Sequence, residues 1–523
     1  MLEELILTLY FVSILILSIF GAHGFVLVYY YFKNKKDEAE GRKKKLKPKS
    51  LEELFGDEGN FPTVTIQLPI YNEVYVAPRL LDAISRMDYP KEKMQIQVLD
   101  DSTDETVQSV ALKVMELKSK GFDIEHIRRG TREGFKAGAL KYGLKFAKGD
   151  FIAIFDADFV PNPDFLRKTL PYFYLDGNIG MVQTRWEHIN ENYSLLTQAQ
   201  ALALNGHFIM EQYVRNEAGF FITFNGTGGI WRKACIEDAG NWEVDTLAED
   251  MDLSYRAQLR KWKFVFLKDV ASPAELPSEI NALKSQQFRW TKGAIEVGLK
   301  HLKRIWQENL PLKIKLEATF HLTNNFVFPF ILLTALLNPI VVMVKESGNY
   351  DWYYFILGIF VIPFFGPFLV YTLAQMEIYK DWRDKVILFP LFLAGSMGLA
   401  VNNTRAVILA LLGKRTEFVR TPKYGIESGE GNWENKKYVA SRVEWVAFVE
   451  LLLAGYMFIG MILSAYYLEL AAIPFQAMFF IGFSFIGVLS IKHSKVWNEY
   501  ISKISLMWDI IRGRFALQRF KVR

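Results

Sequence analysis

"FIAIFDAD", residues 151–158, runs five apolar residues into two aspartates separated by one alanine. An unbroken apolar run of this length reads as a strand buried on both faces, as strands are in a mostly parallel sheet covered by helices. Ligands of such sheets bind outside the carboxyl ends of the strands. Side chains two apart on an extended chain share a face, so Asp156 and Asp158 present their carboxylates together. A pair of that kind can share one divalent cation with a diphosphate. It can equally open a solvated turn, with Pro161 close behind, and the pair alone does not choose between the two.

The same pattern extends outward. "VTIQLPI" (64–70), "IQVLD" (96–100), "DIEHI" (123–127) and "IGMVQT" (179–184) read as further strands. Residues 76–86, 105–120 and 135–148 between them have helical periodicity. The alternation implies an α/β domain over residues 61–280. A second strand also ends in acids, Asp100 and Asp101. Carboxylates there can accept hydrogen bonds from ribose hydroxyls or a base N–H, although Ser102, Thr103 and Asp104 also suit a helix N-cap.

Two further stretches attract chemistry. "AEDMDL" places Glu249, Asp250 and Asp252 at the start of an amphipathic helix. Acids are favourable there through the helix dipole. One could instead serve as a general base toward an acceptor hydroxyl; substitution of Asp252 is expected to be far milder than that of Asp250. "SQQFRW" follows at 285–290. On a helix, Gln286 shares a face with Arg289 and Trp290. Arg289 can fork onto phosphate oxygens, and Trp290 offers a flat ring to a sugar. An interfacial aromatic and basic belt explains the Trp and the Arg, but not the paired glutamines.

Outside this domain the 523-residue chain turns apolar. Residues 1–32 read as a retained transmembrane helix, since the run is too long for a signal-peptide core and lacks a small-residue cleavage site. Glu3 and Glu4 precede it and nine Lys/Arg follow within 33–49, which places the start of the chain outside and the basic linker 33–60 in the cytoplasm. Residues 281–312 are expected as interfacial helices, 313–376 as two crossings and 444–491 as two more. The connections rich in Lys/Arg put 413–440 and the tail 492–523 in the cytoplasm. The 386–412 segment is then interfacial or re-entrant, giving five crossings, or six if it crosses. The basic runs are anchors facing anionic lipid, so no nucleic-acid partner is implied. A single cysteine, Cys235, allows no intrachain disulfide or thiolate zinc site, and the seven histidines are scattered. A bound metal would need carboxylates, which favours Mg²⁺ or Mn²⁺.

Taken in order, Asp100/Asp101, Asp156-Ala-Asp158, Glu249-Asp250 and Gln286-Gln-Phe-Arg289-Trp290 resemble the signature of the family-2 membrane glycosyltransferases of the cellulose synthase superfamily. "QLPIYNE", "QVLDDSTDET", "VQTRWEHIN" and "FNGTGGIWR" are most similar to the cellulose-synthase-like A and C groups, the β-mannan, glucomannan and xyloglucan-backbone synthases. The resemblance implies a GT-A nucleotide-sugar transferase domain within an all-α membrane domain. It implies that Asp100 and Asp101 contact the nucleoside, Lys136 the diphosphate, Asp156 the nucleotide and Asp158 the metal. Asp250, with Glu249 beside it, would be the base. Phe224, Asn225, Gly226 and Thr227 would line the acceptor site, with Gln286, Arg289 and Trp290 closing it. "EFVRTPK", 417–423, resembles the gating loop of these synthases, with Arg420 for the more usual Val; Ala248 stands where they carry Thr before Glu-Asp.

The expected activity is a processive, inverting hexosyltransferase that extends and exports a β-linked polysaccharide. Its donor would be UDP-glucose or GDP-mannose, and its place a multi-pass position in the plasma, inner or Golgi membrane with the catalytic domain cytoplasmic. Single transfer to a lipid acceptor, as in ceramide glucosyltransferases, is the alternative enzyme reading. An inactive sugar-binding or transport subunit is the alternative of another class.

Overall fold

The computed structural model describes residues 1–497 except 44–46, 349, 428–430, 435 and 441. Most of the expected basic tail, 492–523, therefore lies outside the described residues. The α/β domain is built on a seven-stranded sheet of order β3-β2-β1-β4-β6-β5-β7. Its strands are β1 (Val64–Ile70), β2 (Met94–Asp100), β3 (Asp123–Ile127), β4 (Phe151–Ile154), β5 (Ile179–His188), β6 (Gly229–Arg232) and β7 (Lys263–Ala274). β1, β2, β3 and β4 pair in parallel, with β1 flanked by β2 and β4. β1 and β2 are buried on both faces: Val64, Ile66, Leu68, Met94, Ile96 and Val98 pack in one core layer, and the other face buries Thr65, Gln67, Gln95 and Gln97, which hydrogen-bond across the strands. Val64, Ile66 and Leu68 belong to one core layer and Ile152, Ile154 and Trp231 to the other.

β6 departs from the parallel pattern. It is only four residues long, and it runs antiparallel to both β4 and β5, with Ile154 opposite Gly229 and Phe151 opposite Arg232. The start of β6 thus lies at the carboxyl end of β4. That reversal delivers residues 224–228 to the two aspartates. A strand of four residues carries little periodicity, so the sequence holds no clear mark of it.

Among the described residues, five helical spans are long and apolar enough to cross a membrane: Leu2–Ala39, Leu312–Glu346, Asp351–Ile378, Trp445–Tyr466 and Leu470–Lys492. The first continues beyond residue 32 into the basic linker, where Lys36 and Glu40 pair at i, i+4. A further pair, Trp382–Gly398 and Ala400–Leu411, is bent by 46°. "QQFRW" lies on one 28-residue helix, Ile280–Gln307, rather than on several. Glu279 caps that helix by accepting from Asn281 N at 2.7 Å and Ala282 N at 2.8 Å. The helix is tied to the membrane domain by Lys284, 2.9 Å from Glu450, and by Asn402 Nδ2, which donates to the Lys284 carbonyl at 3.0 Å.

Candidate functional site

A cavity opens at the carboxyl edge of the sheet, between the sheet, the Ile280–Gln307 helix and the segment 418–423. Two of its carboxylates come from the loop after β4. Phe155 N still donates to the Gln67 carbonyl, continuing the strand, and Asp156 N then donates to Thr227 Oγ1 at 2.9 Å. Asp156 is bound by Lys136 Nζ, which also donates to the Gly226 carbonyl at 3.0 Å. Asp158 Oδ2 lies 2.7 Å from Lys423 Nζ. Each aspartate therefore carries one ammonium group. Burial alone would lower the Lys136 pKa, but Asp156 and Glu249 hold it above the ordinary lysine value.

Asp250 approaches from the helix Glu249–Leu259. Its Oδ1 accepts from Met251 N at 2.8 Å, and its Oδ2 faces Gly226. Gly226 has φ +81, and a Cβ built there would lie 3.0 Å from Asp250 Oδ2 and 3.4 Å from Lys136 Nζ. Both the backbone conformation and the space therefore call for glycine. Burial raises the pKa values of Glu249 and Asp250 above the usual carboxylate range, and for Glu249 the neighbouring Asp250 charge adds to it. A carboxylate moved toward neutral pH is a stronger proton acceptor than an ordinary one.

Gln286, Arg289 and Trp290 line the same cavity from the far side, as do Asn225 and Gly226. Arg289 Nη1 donates to the Val419 carbonyl at 3.2 Å and lies 4.6 Å from the centre of the Phe418 ring. Phe418 stacks on Phe135 at 5.5 Å. Arg420 sits 2.9 Å from Glu73, a close charge contact without hydrogen-bond alignment. Burial pushes the Glu73 carboxyl up to about 8. The 418–423 segment thus crosses the cavity as a strap. Its far end is fixed by Glu275, whose carboxylate accepts from Tyr424 N at 2.8 Å and Gly425 N at 3.0 Å.

Three residues expected at the ligand surface are placed behind it. Asp100 is 1% exposed; its Oδ2 lies 2.7 Å from His126 Nε2 and its Oδ1 accepts from Ser102 N at 2.8 Å. It braces the strand end, and only Asp101, held by Arg129, reaches the cavity. Phe224 is packed in the core against Trp231. Thr227 is buried and spends its hydroxyl on the backbone of Asp156. The chain bends at 226–228, with Gly226 and Gly228 at positive φ, so Asn225 and Gly226 face the cavity while Phe224 and Thr227 on either side turn inward. Glu73, Glu275 and Arg129 were not singled out in the sequence. Glu73 stands in "IYNE" just beyond β1, another strand end, and that position was its only signal.

Asp252, on the opposite side of the same helical turn from Asp250, is fully buried outside the cavity. It pairs with Arg256 at 2.8 Å, His301 at 2.7 Å and Lys300 at 2.9 Å. Its charge sits in a buried network away from the cavity, so its substitution bears on stability rather than on the chemistry. Glu243, Asp245 and Asp252 are close enough together to hold a cation, but Lys300 already spans all three.

Metal binding is better suited to the cavity. Asp156 and Asp158 form an all-oxygen donor set of the kind that Mg²⁺ or Mn²⁺ takes. The Lys423 ammonium on Asp158 is a stand-in cation at that position.

Comparison with known proteins agrees in kind. The family model described as "Glycosyltransferase like family 2" matches residues 62–293. Glucomannan 4-beta-mannosyltransferase 2 of Arabidopsis thaliana is 36% identical over 416 residues, covering 76% of this chain and 74% of the relative. Probable glucomannan 4-beta-mannosyltransferase 2 of Oryza sativa subsp. japonica is 34% identical over 468 residues, covering 84% and 77%. A mannosyltransferase from Pyrobaculum calidifontis, solved in complex with GDP-Man and Mn2+, shares the fold at 19% identity. That likeness has a TM-score of 0.52 and covers 79% of this chain and 100% of the other.

Proposed function

The chain belongs to glycosyltransferase family 2, together with the plant glucomannan 4-β-mannosyltransferases, and from that premise we propose that it transfers mannose from GDP-mannose to the end of a growing β-1,4-linked glycan, processively and with inversion, and exports the product through its membrane helices. The observation that carries this reading is the single cavity in which Asp101, Asp156, Asp158, Asp250, Arg289 and Trp290 converge.

Each residue then has a task. Asp101 accepts from the nucleoside, and Lys136 and Arg289 offer positive charge to the diphosphate. Asp158, with Asp156, would hold the divalent cation, whose charge stabilises the departing diphosphate. Asp250 takes the proton of the acceptor hydroxyl as that oxygen attacks the anomeric carbon opposite the leaving group. An α-linked donor then yields a β-linked product. Trp290 provides the flat face for the acceptor sugar. The strap covers the reacting groups, and Lys423 and Arg420 exchange their contacts with Asp158 and Glu73 for the charged donor.

The bent pair Trp382–Gly398 and Ala400–Leu411 is read as re-entrant, with five full crossings, the α/β domain cytoplasmic and the product leaving outward. This is supported by the packing of Ala400–Leu411 along the Ile280–Gln307 helix. It is also supported by the basic connection after it, which the positive-inside rule keeps in the cytoplasm.

The test is incorporation of radiolabelled sugar by purified full-length protein, from GDP-mannose and from UDP-glucose in parallel, with and without chelator. The expected product is a polymer made from GDP-mannose, cleaved by an endo-β-1,4-mannanase and absent in chelator. A chloroform-soluble glycolipid, or no product from either donor, would sink the reading.

A further inference from the structure

A line of polar side chains runs from the acceptor side of the cavity to the membrane helices, and the chemistry above does not use it. It begins at Asn225, whose backbone N–H donates to Gln183 Oε1 at 3.0 Å. Asn225 Oδ1 accepts from Gln212 Nε2 at 2.7 Å, which leaves Nδ2 facing His207 Nε2 at 2.9 Å. An amide nitrogen only donates, so His207 Nε2 accepts and the ring proton sits on Nδ1. Nδ1 faces Glu211 Oε2 at 3.0 Å. Burial would raise the Glu211 carboxyl, but the His207 hydrogen bond and the Arg215 charge hold it down at about 2. Arg215 is 3.5 Å from Glu211 and donates to Glu317 Oε1 at 2.8 Å. Glu317 Oε2 in turn lies 2.8 Å from His23 Nε2, on the first membrane helix.

The backbone is built for this line. A helix that starts at Leu195 and ends at Glu217 is interrupted by a π-helical stretch, Gly206–Gln212. Such stretches are rare and concentrate at functional sites. This one carries His207, Glu211 and Gln212, three of the side chains that fix Asn225 directly or through a neighbour. Gly206, which opens it, packs so tightly that a Cβ would fall 2.4 Å from Tyr371.

We infer that His207 is a positioning residue for the glycan acceptor: it holds the Asn225 amide against the incoming sugar, and the Glu211–Arg215–Glu317–His23 chain fixes that arrangement to the membrane helices through which the glycan leaves. The inference rests on the proposed transfer to a glycan and on Asn225 and Gly226, which line the cavity, forming the acceptor wall that the family resemblance implies. Asn225 Nδ2 has two hydrogens, and His207 takes one. The other serves an acceptor hydroxyl. Displacement of Asn225 also moves Gly226, which touches Asp250. The error then reaches the approach of the hydroxyl to its base.

The test uses the full-length protein and an added manno-oligosaccharide. In His207→Leu the KM for the oligosaccharide should rise about five- to tenfold, the scale of one lost hydrogen bond in a binding site. The KM for nucleotide sugar and the melting temperature should stay at wild-type values. His207→Gln, whose Oε1 can accept from Asn225, should recover most of the acceptor KM. Glu211→Gln leaves the imidazole in place while removing the charge that fixes its tautomer, and should raise the acceptor KM alone, by about threefold. That variant keeps the inference open to refutation if His207→Leu fails to fold. A wild-type acceptor KM in His207→Leu or Glu211→Gln, or equal losses in the Leu and Gln variants at 207, would overturn the positioning role. Wild-type protein that consumes GDP-mannose without extending any glycan would overturn the functional reading beneath it, and the inference with it.

Discussion

Two acidic clusters meet along one turn of the helix Glu249–Leu259, and they have opposite fates. On one side Glu249 and Asp250 face the cavity with Asp156 and Asp158, where Lys136 is shared among several carboxylates. On the other, Asp252 joins Glu243 and Asp245 around Lys300, with Arg256 and His301 completing the shell. The first cluster is under-compensated, and burial raises its carboxyls. The second is saturated, and although burial opposes it, His301 and Arg256 hold the Asp252 carboxyl well below its ordinary range. Negative charge in a cluster therefore says little about role. The supply of cations around it decides whether the charge is structural or left available for a ligand.

The comparison can be broken most directly at Asp250. Asp250→Asn keeps the shape and removes the proton acceptor, so turnover should fall about 10²–10⁴-fold while folding and nucleotide binding persist. More than about a tenth of wild-type turnover in that variant would contradict a base at this position. Asp252→Asn should do the reverse. It leaves Arg256 under-compensated in the interior and should lower stability by about 3 kcal/mol, with the folded fraction still active. An unchanged melting temperature, or normal stability with lost turnover, would erase the distinction between the clusters.

Gly226→Ala tests the available side without touching a charge. The new methyl meets Asp250 Oδ2 and forces a positive φ on alanine. Turnover should fall by about tenfold, matching about 1 kcal/mol of backbone strain plus displacement of the carboxylate. Wild-type activity in this variant would mean that the loop is not held as described. The smallest effect is on pH. The base must be ionised to work, and burial raises its pKa. Turnover should therefore fall as pH drops through a value above the ordinary carboxylate range, and recover above it. An acid limb at the usual aspartate value would show that Asp250 is not buried in the working enzyme.

The strand ends were legible because their chemistry is local. "FIAIFDAD" declares a buried strand and the end at which its acids stand, although Asp156 and Asp158 lie in the turn after β4 and not along one face of it. Spacing along a helix likewise puts Gln286 beside Arg289 and Trp290. The short antiparallel β6 was not legible, since four residues beginning with glycine have no period to read. Asp100 looks equivalent to Asp101 in the sequence, because nothing in two adjacent aspartates tells which one turns toward His126 and which toward Arg129 and the cavity.

The sequence by itself determined the class of the α/β domain, the five apolar spans and the residue types available for chemistry. These follow from periodicity and composition, which act over a few neighbouring residues. Only the tertiary structure decided that β6 returns antiparallel and that Lys300 closes one acidic cluster. It alone set what the 418–423 strap meets, Lys423 on Asp158 and Arg420 at Glu73, and joined His207 through Arg215 to the first membrane helix. Those outcomes depend on which distant groups share a low-dielectric space, where the energy of a charge is set by every neighbour at once rather than by the order of residues along the chain.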